Sequence, residues 1–156
     1  MTTSVLFVCL GNICRSPAAE EILRQMAKEH PSLELHVESC GLGEWHAGSL
    51  PDERMRKKAK ERGLDLCTRA RGFRFEFFSR FDYLLAADRK VLSSLTEAAP
   101  PEHVKKIYLI TAFSKNYPTL DVPDPYHRGD RAFDEVLNIL EDACQGWLER
   151  LVYQTS

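Results

Sequence analysis

The sequence predicts one α/β domain over residues 1–156, with a parallel sheet covered by helices on both faces. Strand-like apolar runs alternate with segments of helical spacing, which is the pattern of right-handed βαβ units. The length of 156 residues suits one ordinary domain, and no repeat, low-complexity tract or linker divides it. At about this length folding removes roughly 68–70% of the unfolded chain's surface from water, enough for a real core.

The elements follow in order. Val5-Leu6-Phe7-Val8 is a continuous, β-branched-rich run that suits a strand buried on both faces. It enters Cys9-Leu10-Gly11-Asn12-Ile13-Cys14-Arg15, after which Ser16 as N-cap and Pro17 as first helical residue open a helix. Ala19, Ile22, Leu23 and Met26 form its stripe, and Pro31 closes the segment. A second strand alternates Leu33, Leu35 and Val37 with Glu34, His36 and Glu38, before a glycine-rich loop carrying Trp45. Asp52 to Arg62 reads as a basic helix stopped by Gly63. Tyr83–Ala87 is another buried-strand candidate. Asp88 then caps a short helix with Leu92 and Leu95, ended by Pro100-Pro101. Lys106–Ile110 reads as the last strand. A long loop with Asp121–His127 precedes a final helix striped by Phe133, Val136, Leu137, Leu140, Cys144, Trp147, Leu148 and Leu151. A loop of that length is uncommon in a compact domain unless it is functional.

Composition narrows the function. A hydrophobic share of 44% and a charged share of 28% disfavour disorder and membrane spanning. A net charge of −2 lacks the basic footprint of a nucleic-acid binder. The first residues carry no basic n-region, and Val5–Leu10 is too short for a signal core or a membrane span. The expectation is a cytoplasmic protein, with signal-independent export left open. Five cysteines (Cys9, Cys14, Cys40, Cys67, Cys144) are an odd, scattered set, unlike a disulfide framework or the paired spacings of a zinc site. Cys40, Cys67 and Cys144 read as packing residues, and His46 and His127 as polar rim residues rather than metal ligands.

A strand, a Cys-x5-Arg loop and a helix start together build an anion site. Ligands of open α/β sheets bind beyond the carboxyl ends of strands. Backbone N–H groups of the loop and a helix N-terminus cradle negative charge. Arg15 can fork two donors onto two oxygens of a phosphate, and the same field favours a thiolate at Cys9. A thiolate beneath a bound phosphate is placed for in-line attack. Asp124, held stiffly between Pro123 and Pro125, is the candidate acid for the leaving oxygen and the later base for water. Arg15 and the cradle supply the positive charge, so no metal or cofactor is expected.

Val8-Cys9-Leu10-Gly11-Asn12-Ile13-Cys14-Arg15-Ser16-Pro17-Ala18-Ala19-Glu20 resembles the signature of the low-molecular-weight protein tyrosine phosphatases, and Asp124-Pro125-Tyr126 resembles their acid loop. Ser39 with Gly41, Trp45-His46-Ala47-Gly48, Arg69-Ala70-Arg71 and Phe81-Asp82-Tyr83 match family landmarks in order, so the likeness spans nearly the whole chain. The resemblance implies a four-stranded parallel, Rossmann-like sheet, with Cys9 as nucleophile, Arg15 as clamp and Asp124 as general acid and base. It implies that Leu10, Gly11, Asn12, Ile13, Cys14 and Ser16 surround the phosphate and that Ser39 supports the loop with Asn12 and Ser16. Ser16 is implied to help the cysteine depart as thiolate, and Trp45 and Tyr126 to wall the substrate ring. Cys14 matches a second cysteine that captures oxidised Cys9 as a reversible disulfide. The implied partners are phosphotyrosine proteins or small phosphate monoesters, with inhibition by phosphate- and vanadate-type oxyanions, in a monomer or weak dimer.

Three positions depart from the family pattern. His127 stands where many members have a second tyrosine, Thr68 where several have a histidine, and Gly72–Phe78 is unusually rich in phenylalanine. The alternation of Phe73, Phe75 and Phe77 with charges suggests a partner- or membrane-docking surface beside the plainer reading of core packing. The basic run from Arg54 to Arg62 reads as a solvated helix face, or as an attractor of anionic phosphopeptides. Arsenate reduction would need two further relay cysteines, and none lies between Cys67 and Cys144. A non-catalytic phosphate or redox module is the other alternative. Preference among phosphotyrosine, phosphoarginine and small phosphates rests on the pocket walls, where Trp45, Tyr126 and Ile13 lean toward an aromatic ring.

Overall fold

The sheet is built on β1 (Thr3–Cys9), whose Val5–Val8 run is fully buried, as a strand covered on both faces must be. The computed structural model describes residues 1–117 and 119–155. It pairs β1 in parallel with β2 (Leu35–Gly41) on one side and β3 (Tyr83–Ala86) on the other. β4 (Ile107–Leu109) lies beyond β3, giving the expected four-stranded parallel sheet in the order β2-β1-β3-β4. The chain leaves β1 for β2 on one flank and returns to β3 on the other. That makes the carboxyl end of β1 a topological switch point, where α/β sheets open a crevice.

Side chains of β1 alternate between two cores. Val5 and Phe7 meet α1 (Arg15–Ala27) and α5 (Asp130–Thr155), whose whole expected stripe from Phe133 to Leu151 is buried. Trp147 is enclosed there, and its indole N–H donates to the Ile110 carbonyl at 2.9 Å. Burying each such side chain is worth about 1.5–3 kcal/mol, so this stripe dominates the stability of the face. Leu6 and Val8 point to the opposite core, closed by α3 (Phe77–Arg80) and α4 (Arg89–Ala98). Asp88 caps α4 by accepting the Val91 N–H at 2.9 Å. Two 3₁₀ turns, Pro101–Lys106 and Ile110–Phe113, flank β4.

α2 (Glu53–Lys60) is capped by the Asp52 side chain, and Gly63 ends the segment at φ +80°. Its basic face is divided: Lys58 and Arg62 reach Asp134 and Glu141 on α5, so those two charges tie helices together. Among the described residues no helix is long and apolar enough to cross a membrane.

Two expectations need correction. α1 starts at Arg15 with Cys14 as N-cap, so Ser16 is not the cap; its hydroxyl is used by the loop instead. Pro17 still lies in the first turn, where its missing N–H costs nothing. The alternation of Phe73, Phe75 and Phe77 also fails as a surface. The chain turns helical at Phe77, the period changes from 2 to 3.6, and Phe77, Phe78 and Phe81 rotate into the core. Phe75 remains 67% exposed.

β2 ends directly beneath the loop that follows β1. A Cβ on Gly41 would lie 2.9 Å from both the Gly11 carbonyl carbon and the Leu10 oxygen, which are backbone atoms unable to yield cheaply. Gly41→Ala is therefore expected to destabilise the fold by about 1–3 kcal/mol and to lower turnover together with stability. A shift in the urea midpoint at unchanged slope checks it, and an unshifted midpoint contradicts it.

Candidate active site

The segment Leu10–Cys14 leaves β1 and turns back into α1. The turn demands a left-handed residue, and Asn12 takes it at φ 61°. Its amide orientation is fixed because Oδ1 accepts the Arg71 backbone N–H at 3.0 Å. Nδ2 then donates to Ser16 Oγ at 2.8 Å and to Ser39 Oγ at 3.0 Å. With both hydroxyl oxygens already accepting, the Ser39 proton goes to Glu20 Oε1 at 2.5 Å. The Ser16 proton is left for Cys9 Sγ at 2.9 Å or the Cys40 carbonyl at 3.3 Å. The sulfur is the nearer of the two acceptors. The Asn12 backbone N–H also points at Sγ, at 3.3 Å. Glu20 is buried, receives Thr68 Oγ1 at 2.8 Å and pairs with Arg24, so the network ends on a neutralised carboxylate.

Above the sulfur the backbone faces open space. Among the described residues the N–H groups of Gly11, Ile13, Cys14 and Arg15 have no hydrogen-bond acceptor, the first two in the loop and the last two at the start of α1. Converging unpaired N–H groups at a helix N-terminus attract an anion.

Arg15 is buried, with Nη1 donating to Asp88 Oδ2 at 2.8 Å and to the Val122 carbonyl at 2.9 Å. Its Nη2 lies 3.9 Å from Asp124 Oδ2. Burial alone would lower the Arg15 pKa, but charge at Cys9, Asp88 and Asp124 outweighs it and holds the guanidinium above its ordinary value. Burial pushes the Cys14 thiol far up, with Asp52 and Cys9 adding to the effect, so Cys14 stays protonated at neutral pH. The Cys40 and Cys144 thiols are raised by burial too, consistent with packing roles.

Cys9 is 3% exposed at the base of a cleft of about 260 Å³. Leu10, Gly11, Ile13, Cys14, Arg15 and Asp124 line it, with Trp45, Tyr126, His46 and His127 around the mouth. Trp45 is 69% exposed and lies over Gly43, where a Cβ would meet its ring at 2.2 Å. Arg54 stacks 5.4 Å from the Tyr126 ring and donates to the Tyr126 carbonyl at 2.9 Å. Asp124 is 47% exposed and accepts the Tyr126 backbone N–H at 3.1 Å.

The family model for low molecular weight phosphotyrosine protein phosphatase matches residues 4–156. This chain belongs to that family. A putative low molecular weight protein-tyrosine-phosphatase of Synechocystis is 38% identical over 149 residues, covering 94% of this chain and 95% of the relative. The pig low molecular weight phosphotyrosine protein phosphatase is 33% identical, covering 97% of each chain. Among solved structures, a protein tyrosine phosphatase of Entamoeba histolytica with Hepes in its active site superposes with a TM-score of 0.95 at 37% identity, over 99% of each chain. YfkJ of Bacillus subtilis gives 0.92 at 32%, covering 100% of this chain and 98% of the other.

Within this phosphatase fold the residues singled out from sequence converge. Cys9, Leu10, Gly11, Ile13, Cys14, Arg15, Trp45, Asp124 and Tyr126 share one cleft, while Asn12, Ser16 and Ser39 lie buried behind it. Four contributors were not legible. The local pattern marks Asp88 only as a helix cap, yet its other oxygen holds Arg15. Glu20 looks like one half of an ordinary surface pair with Arg24, and only tertiary folding buries it against Ser39 and Thr68. The Val122 carbonyl and the Arg71 N–H are backbone groups with no sequence signal. His127, the departure beside Tyr126, packs edge-on against that ring at 4.9 Å.

Proposed function

We propose that this member of the phosphatase family hydrolyses phosphotyrosine-type aryl phosphate monoesters through a cysteinyl-phosphate on Cys9. The observation that carries the reading is Cys9 Sγ, with two donors aimed at it, beneath unpaired backbone N–H groups in a cleft lined by Arg15 and Asp124. Arg15 Nη1 is committed to Asp88 and Val122, so Nε and Nη2 are the edge that forks onto two phosphate oxygens. The cradle and this fork complement the charge that spreads over the equatorial oxygens in the transition state.

The sulfur lone pair attacks phosphorus as the bond to the aryl oxygen breaks, and Asp124 gives its proton to that oxygen. In the second step Asp124, now a carboxylate, takes a proton from water. The water oxygen bonds to phosphorus, the sulfur–phosphorus bond breaks, and inorganic phosphate leaves. The Ser16 hydroxyl, 2.9 Å from Sγ, stabilises the thiolate as it departs. Because the sulfur lies deep in the cleft, a flat aryl stem between Trp45 and Tyr126 delivers the phosphate to it.

The test is hydrolysis of p-nitrophenyl phosphate with a chelator present. Asp124→Ala is expected to slow phenyl phosphate turnover by about 10²–10⁴-fold and p-nitrophenyl phosphate turnover much less, because the nitrophenolate leaves with little protonation. Equal turnover of wild type and Asp124→Ala on phenyl phosphate would remove Asp124 from the chemistry. Turnover of arsenate driven by a thiol reductant, without phosphatase activity, would favour the reductase alternative.

A further inference from the structure

Asp124 sits on a stretch without regular secondary structure, and among the described residues its carboxylate has only the Tyr126 N–H at 3.1 Å and Arg15 Nη2 at 3.9 Å beside it. Its position is therefore inherited from the chain on either side. Upstream, Val122 is buried, donates its N–H to the Ala87 carbonyl at 2.8 Å and accepts Arg15 at 2.9 Å. A single residue held this way can still pivot about its own backbone. Asp121 removes that freedom. Its Oδ1 accepts both the Arg89 backbone N–H at 2.9 Å and Arg89 Nε at 3.1 Å, and its Oδ2 accepts Nη2 at 3.2 Å.

We propose that Arg89 and Asp121 form a latch that sets the position of Asp124 for proton delivery, an inference that rests on the reading of Asp124 as general acid. The pair is too exposed to be there for stability, since solvated ion pairs contribute little. Its geometry is another matter. A forked guanidinium and a backbone amide of the first turn of α4 fix the carboxylate in direction as well as distance. Arg89 also holds the Asp121 carboxyl below the ordinary carboxylate range, so the latch stays charged at neutral pH. Between Asp121 and Asp124 lie only Val122 and Pro123, and the fixed φ of proline transmits a displacement rather than absorbing it. The same helix end thus anchors two parts of the site: Asp88 holds Arg15, and Arg89 holds the acid loop. Arg89 and Asp121 are positioning residues that touch no substrate.

The experiment compares kcat/KM for p-nitrophenyl phosphate, whose leaving group needs little protonation, with phenyl phosphate, whose leaving group needs it fully. Wild type, Arg89→Met, Asp121→Asn, Asp124→Ala and the Arg89→Met/Asp124→Ala double variant are measured. The expected result is a loss of about 5–20-fold on phenyl phosphate and under about 3-fold on p-nitrophenyl phosphate for either latch variant. In the Asp124→Ala background Arg89→Met should change neither value by more than about 2-fold, because there is no acid left to misplace. A loss equal on both substrates, a loss that persists without Asp124, or no loss at all overturns the latch. If Asp124→Ala itself shows no preference between the two leaving groups, the general-acid reading falls and the latch with it. A steep Asp124→Ala response beside wild-type latch variants overturns the latch alone.

Discussion

Cys9→Ser is expected to remain folded and to lose at least about 10⁴-fold of its turnover, the largest effect of any single substitution in this chain. Serine matches the small buried volume at the base of the cleft and can still meet Ser16 and the Asn12 N–H, so the scaffold has no reason to change. What disappears is the nucleophile. A hydroxyl stays protonated where a thiol ionises, and the site offers it no general base at ground state. Oxyanion binding should survive, because the cradle of backbone N–H groups and Arg15 is untouched. Vanadate or phosphate titration of the inactive variant separates the two statements. Measurable turnover by Cys9→Ser would mean that another group attacks phosphorus.

Arg15→Lys is the second large effect, with kcat/KM expected to fall on the order of 10³-fold although the formal charge is kept. An ammonium cannot donate simultaneously to Asp88, to the Val122 carbonyl and to two phosphate oxygens, which the planar guanidinium does in one plane. The variant should also loosen the acid loop, since Val122 loses the donor that ties it to the clamp. Both kcat and oxyanion affinity should therefore drop. A loss under about 10-fold would show that charge, rather than the fork, is what the site needs from residue 15. Asp88→Asn offers a milder version: it keeps an acceptor 2.8 Å from Nη1 but removes the charge that helps hold the Arg15 pKa up.

Two of the three departures from the family pattern find different fates in the fold. Thr68 donates to Glu20, and Arg24 supplies the positive charge at that end of the network. The phenylalanine-rich segment is the lid of the second core, its edge-on rings at 4.9–5.7 Å packing α3 onto Leu6, Val8 and Leu84. The basic run on α2 is likewise not uniform, because two of its members are committed to α5 and Arg54 is committed to Asp52 and Tyr126.

What depends on neighbours in the chain is legible without a structure. The buried β1 run, the loop from Cys9 to Arg15, the Asp88 cap, the Gly63 stop and the α5 stripe all follow from local periodicity and residue chemistry. The candidate nucleophile, clamp and acid were also legible, Cys9 and Arg15 from the strand-loop-helix start with Cys-x5-Arg and Asp124 from its proline-flanked loop, and the fold brings the three to one cleft. The α1 cap escapes local reasoning: Ser16 is an excellent cap by propensity, but its hydroxyl instead meets the Cys9 sulfur at 2.9 Å and accepts the Asn12 amide. Partners drawn from far along the chain emerge only once the molecule is folded. Glu20 with Ser39 and Thr68, Arg15 with Asp88 and Val122, and Arg89 with Asp121 join residues separated by 19 to 107 positions. Their side chains are ordinary polar residues until strand order brings them together. Burial and register, which no local pattern encodes, then turn them into the frame that holds the chemistry in place.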